Sequence, residues 1–165
     1  MTTTGTARAT GLAYLGLAMT GMAGFLVVRP QLFTDSASDT IDNLTAHPSL
    51  AATAIGLEMA IVLTQAVAAI LFYRLLHTIR PVAAFAVAAF GLMNAVAIMA
   101  SGVFIATAVA VAGDPSLAVG ADAAGTVAVL AQLSDASWGL GALFFGLWLI
   151  PMGWTAITTG RFPAV

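Results

Sequence analysis

The 165-residue chain has no cysteine, no lysine and very little charge of either sign: charged side chains make up 7% of it. Without cysteine there is no disulfide, no thiolate metal site and no thiol nucleophile. Five arginines and a net charge of −2 leave no basic patch, which excludes nucleic acid as a partner. HExxH, GxSxG and a glycine-rich phosphate loop after a strand are all absent, and no carboxylates cluster with a histidine. Ser137 has no histidine at its depth to activate it. Met93 and Met99 with their aromatic neighbours read as core filling. No metal and no cofactor is expected, and nothing here identifies an enzyme.

What is present is hydrocarbon. The chain is 61% hydrophobic, whereas a soluble domain carries about 25% charged residues. Lipid must therefore solvate much of the surface, and a single membrane domain is expected over 1–165. A spanning helix needs about 20 apolar residues, and four runs qualify, at roughly 10–28, 49–76, 81–112 and 124–157. Arg29-Pro30 closes the first, and Pro81 suits the first turn of the third. Strand-like alternation is absent and only helices satisfy their backbone within one apolar run, so the fold class is all-α, a polytopic four-helix bundle. The first run could be a cleaved leader ending near Ser36-Ala37-Ser38, but its apolar stretch exceeds the usual core of about 7–15 residues.

Arg8, Arg74, Arg80 and Arg161 fall on one side of this arrangement and only Arg29 on the other. The positive-inside rule then predicts cytoplasmic termini, in the plasma membrane of a prokaryote, with Tyr73 and Trp154 near the inner boundary. His47 and His77 lie on opposite sides and cannot share a metal. The segment QLFTDSASDTIDNLTAH, with Asp35, Asp39 and Asp42, reads as a solvated outer connection. Its Asn43-Leu44-Thr45 fits a glycosylation acceptor, relevant only in a eukaryotic secretory pathway.

Each run carries small and polar residues on one helical stripe. The first has Gly16, Thr20 and Gly24; the second has Ala51, Ala54, Glu58, Gln65 and Ala69; the third has Gly91, Asn94 and Ser101. The fourth offers Asp135, Gly139, Ala142, Gly146 and Gly153. Small faces let helices approach and polar side chains can bond across them, so these stripes are expected inside, with Gly16, Gly24, Gly139 and Gly146 as packing positions.

Glu58 and Asp135 are the most informative residues, because a charge inside such a run costs about 2.5–3.5 kcal/mol on insertion scales. At 1.5 Å per residue Glu58 lies about 13 Å and Asp135 about 16 Å from the outer ends of their helices, and Asn94 enters about 20 Å from the inner side. A shared polar centre of Glu58, Asp135, Asn94, Gln65 and Trp138 is expected, with Thr20 able to line the same space. The acids would either bond Asn94, Gln65 or a backbone carbonyl as helix glue, or form a ligand or proton site. Arg29 could fold back towards either acid or extend to headgroups.

Four stretches resemble the integral membrane proteins of the domain-of-unknown-function 4386 family: GLAYLGLAMTGMAGFLVVRPQLF, GLEMAIVLTQAVAAILFYRLL, FGLMNAVAIMASGVF and SWGLGALFFGLWLIPMGWTAITTGRFP with its closing Phe-Pro. Members often carry arginine where Gly91 stands and histidine just after the position of Asp135, where this chain reads Asp-Ala-Ser-Trp. A buried charge network implied by the resemblance is therefore reduced here. Members also commonly continue past the Phe-Pro, so a short or truncated member is expected. The resemblance implies the fold and supplies no function.

Two functional readings lead, and a third, a membrane enzyme such as a lipid-modifying hydrolase, is set behind them by the missing nucleophile–base pair. One is a non-enzymatic component that packs against other membrane subunits or its own copies. The other is a protein that binds or transports a small hydrophobic or protonatable ligand at Glu58 and Asp135.

Overall fold

The computed structural model describes residues 3–159; Arg161 and the closing Phe162-Pro163 lie outside the described residues. Helix α1 (Thr3–Gly21) runs through a π-helical segment, Met22–Val28, into α2 (Arg29–Leu32). A short α3 (Ala37–Ala46) precedes α4 (Pro48–Leu76), α5 (Pro81–Gly113) and α6 (Ala123–Thr159), with two 3-10 turns between the last two. Four stretches are long and apolar enough to cross a membrane: Thr4–Leu32, Pro48–Leu76, Pro81–Gly113 and Ala123–Thr159. No strand occurs among the described residues. The chain is an all-α bundle of membrane-type helices.

The first span continues past the expected stop at Arg29-Pro30. Proline lacks a backbone N–H and its ring crowds the carbonyl four residues back, so the ladder must adjust before Pro30. It does so by widening: the Arg29 N–H donates to the Gly24 carbonyl, five residues back. A π turn of this kind holds one extra residue and is frequent at functional sites. The extra residue rotates the next turn of helix by roughly 100° about the axis, and Arg29 and Leu32 are buried.

The segment between the first and second spans is also more than a solvated connection. Ser36 caps α3, accepting from the Asp39 N–H at 3.3 Å, as serine commonly does at an N-cap. Thr40 and Leu44 are buried, and Leu44 joins the cluster of Val28, Leu32, Ala51, Ala54, Ala108 and Val111. Three acids made this stretch read as polar, but its apolar positions recur at helical spacing and close one end of the bundle.

Successive spans pack on one another: the first against α4, α4 against α5, α5 against α6. The backbones of the first and fourth spans stay largely apart, and side chains bridge the seam between them. A second apolar cluster, around Leu17, Ile61, Ala68, Val87, Ile98 and Trp148, fills the half nearer the termini.

The inward faces of α4 and α5 are those the stripes predict: Ala51, Ala54, Glu58, Gln65 and Ala69 are buried, as are Gly91, Asn94 and Ser101. Gly24 is buried too, and a Cβ on it would lie 3.3 Å from Leu57 Cβ; one on Gly16 would lie 3.4 Å from Thr64 Cγ2. The fourth span is different. Its buried face is Val127, Ser134, Ser137, Gly141, Trp148 and Thr155, while Gly139, Ala142, Gly146 and Gly153 are exposed. Nothing lies within 4 Å of a Cβ built on Gly139 or Gly146, so neither packs a helix. Two small-residue stripes run side by side on this helix, and the large Trp148 side chain decides between them by filling the core.

Candidate functional site

The two carboxylates inside the spans meet at one arginine. Arg29 Nη2 lies 2.6 Å from Asp135 Oδ1 and 3.0 Å from Ser134 Oγ, and its Nη1 lies 3.5 Å from Glu58 Oε1. The first is a short charge-assisted hydrogen bond; the last is mainly a Coulomb contact at the limit of hydrogen-bond length. Arg29 therefore folds into the bundle instead of extending to headgroups. The π turn makes this possible by turning the residue inward one turn before the helix ends.

Glu58 Oε1 gathers three donors. Trp138 Nε1 donates at 3.0 Å and Ser101 Oγ at 3.4 Å, beside Arg29. The Ser101 and Ser134 hydroxyls, on neighbouring helices, are 2.6 Å apart and link Glu58 to Arg29 Nη2 by a second route. Glu58 Oε2 is buried with no partner. Asp135 sits differently: its side chain is 59% exposed against 7% for Glu58. It lies at the margin of the inner face, open to a groove between the first and fourth spans.

Neither acid bonds Asn94 or Gln65; the partners of the acids are Arg29, Ser101 and Trp138. Those two carboxamides lie on the wall of a separate cavity of about 370 Å³, lined also by Tyr14, Leu17, Ile61, Ile98, Trp138 and Phe145. Gln65 is fully buried, and both its amide atoms lack a hydrogen-bond partner. Trp148 Nε1 is unpartnered as well, and both it and Gln65 Nε2 approach Gly91, within 3.4 and 3.3 Å of where its Cβ would be. Thr20 does not reach this space; its hydroxyl bonds the Gly16 carbonyl at 2.8 Å.

The seam carries a column of openings. A groove of about 590 Å³ beside Phe25, Asp135 and Trp138 shares Gly21, Trp138 and Ala142 with the cavity. Towards the termini, Tyr14, Phe72, Phe145 and Trp148 contact edge to face, with Tyr14 5.7 Å and Phe145 5.5 Å from Trp148. A further pocket of about 450 Å³ begins beyond Tyr14 and Phe72.

The family model described as Domain of unknown function (DUF4386) matches residues 9–165. The chain belongs to this family. No curated protein and no solved structure matches it. In this DUF4386 chain the polar centre is built from one residue of the first span, one of α4, one of α5 and three of α6. Gly91 is closely packed: a Cβ there would be 2.8 Å from Ala69 Cβ.

Sequence reasoning missed Ser134, Phe25, Tyr14 and Trp148. Ser134 had a usable signal, a hydroxyl one residue from an intramembrane acid. Phe25 had another, since it stands one helical turn before Arg29, whose guanidinium carbon lies 6.0 Å from its ring centre. Nothing local distinguished Tyr14 or Trp148 from other aromatics of the apolar runs.

Proposed function

We propose that this protein binds a small, largely apolar molecule between its first and fourth spans, in the cavity walled by Gln65 and Asn94. The observation that carries this reading is Gln65: a fully buried amide with neither atom bonded, at the edge of an apolar cavity. A buried polar group without a partner costs about 1–3 kcal/mol, and a ligand carrying a donor or acceptor would remove that cost. Pockets of this kind, mostly apolar with a few convergent polar groups, are where small molecules bind. Arg8, Arg74 and Arg80 gather at the end bearing the termini, which we place in the cytoplasm of a prokaryotic plasma membrane. The ion cluster and the groove then belong to the outer half.

A second reading, a small subunit held against a partner helix, is favoured by the exposed Gly139, Gly146 and Gly153 together with the half-exposed Asp135. Such a stripe permits close helix approach.

Native mass spectrometry in mild detergent separates the two. The ligand reading predicts a small-molecule adduct on the monomer after mild extraction from native membranes, lost in Gln65→Leu. A bare monomer in both forms would sink it, and a stoichiometric protein partner would favour the subunit reading.

A further inference from the structure

We propose that the groove beside this cavity, where Asp135 lies with the rings of Phe25 and Trp138, is a site for a lipophilic cation: an amine or quaternary ammonium on an apolar body. Charge comes first. Two carboxylates, Glu58 and Asp135, face a single guanidinium, and the other described arginines stand at the opposite end of the bundle. Glu58 has its donors enclosed around Oε1, whereas Asp135 engages Arg29 through Oδ1 alone and is 59% exposed to the groove. Glu58 Oε2 is unpartnered but buried, so a second positive charge can reach only the open side of Asp135. A carboxylate left facing lipid is costly, and intramembrane acids are paired or sit beside a water-filled path.

The walls fit such a cation. Phe25 and Trp138 lie 4.9 Å apart between ring centres, tilted by 44°, and line the groove with Met22 and Asp135. A carboxylate with aromatic faces beside it is the arrangement that recognises ammonium groups, through charge and cation–π attraction together. Arg29 lies nearer the Phe33 ring centre, at 5.5 Å, than the Phe25 one, at 6.0 Å, so Phe25 and Trp138 together form the aromatic wall. The apolar body has its own space, because Gly21, Trp138 and Ala142 line both the groove and the neighbouring 370 Å³ cavity. Asp135 is twelve residues (135 − 123) into α6, about 18 Å along the helix.

This inference shares the cavity with the function proposed above but rests on Asp135 and not on Gln65. Calorimetric titration of the full chain in detergent, against protein-free micelles, would use phenethyltrimethylammonium and 3,3-dimethylbutylbenzene, which differ only by carbon in place of the charged nitrogen. The cation should bind at least tenfold tighter than its uncharged isostere. Asp135→Asn should abolish that preference, and glycerophosphocholine, the headgroup alone, should not compete. Equal binding of the two probes, or a preference that survives Asp135→Asn, would overturn the proposal, and competition by the headgroup would contradict the lipophilic source. Phe25→Leu keeps the Arg29–Asp135 pair and serves if Asp135→Asn does not fold: cation affinity should fall several-fold with that of the isostere unchanged, and an unchanged cation affinity would overturn the proposal. A charge preference that persists in Gln65→Leu, with apolar affinity unaltered, would support the groove site while removing the cavity reading.

Discussion

Arg29 and Asp135 are 106 residues apart in sequence, and their Nη2 and Oδ1 atoms are 2.6 Å apart in space. This pair ties the first span to the fourth where their backbones stay largely apart. Glu58 on α4 completes the cluster from the other side of the guanidinium. The three charges are unequal in environment, which makes their removal unequal in effect.

Arg29→Met should destabilise the protein by about 3–5 kcal/mol, because it leaves buried Glu58 without its counter-charge. Asp135→Asn should cost clearly less, because Glu58 still balances Arg29 and the amide oxygen can still accept from Nη2. Unfolding curves of both variants in one detergent check the order. If Asp135→Asn is the more damaging, the burial of the two acids has been assigned in reverse.

Trp138→Phe removes the indole donor from Glu58 and keeps most of the ring. The loss should be about 1.5–3 kcal/mol, the range for a hydrogen bond to a charged group. In Glu58→Gln the same substitution should cost clearly less, and a double-mutant cycle over the four proteins measures the difference. Purely additive effects would mean that the indole and the carboxylate do not interact.

Glycines on different faces should respond differently. A Cβ at Gly91 would stand 2.8 Å from Ala69 Cβ, so Gly91→Ala should cost about 1–3 kcal/mol as overpacking. Gly146 faces open space, and Gly146→Leu should stay within about 0.5 kcal/mol. Melting temperatures of the two variants decide this, and a larger effect at Gly146 would show that its face is covered by another helix.

Outside the spans, Asp114 accepts from the Ser116 hydroxyl at 2.6 Å and from its backbone N–H at 3.0 Å. These bonds, the hydroxyl first, hold its carboxyl below the ordinary value of 3.8. A depressed folded value means that the turn gains its stabilisation in full above the unfolded pKa and loses it as pH falls through the folded one. Ser116→Ala should raise the Asp114 titration point towards 3.8, read by carboxyl-carbon NMR. No upward movement would count against the capped turn.

The four spans were legible because length and hydropathy settle a membrane helix almost alone, and the inward faces of α4 and α5 because each carries one polar stripe. The fourth span was misread because two small-residue stripes lie about 100° apart on it, and spacing cannot rank them. Glu58 and Asp135 stood out as charges in hydrocarbon. Their meeting through Arg29 was one of two placements the sequence left open for that residue, and the π turn that decides between them leaves only Pro30 as its sequence trace. The cavity at Gln65 was hidden for another reason: it arises where two backbones fail to meet, which no local pattern records.

If the polar centre of this bundle is a binding site and not a fastening, its charges can be removed together without loss of the fold. The most direct test replaces the charged cluster at once, with Arg29→Met, Glu58→Leu and Asp135→Leu in one protein, and measures both unfolding and binding of phenethyltrimethylammonium. Replacing a whole buried ion cluster by apolar side chains of similar size is often neutral or stabilising by about 1–4 kcal/mol. The predicted result is a variant at least as stable as the parent that no longer binds the cation. A variant destabilised as much as Arg29→Met alone, or one that still binds, would contradict a binding role for this centre.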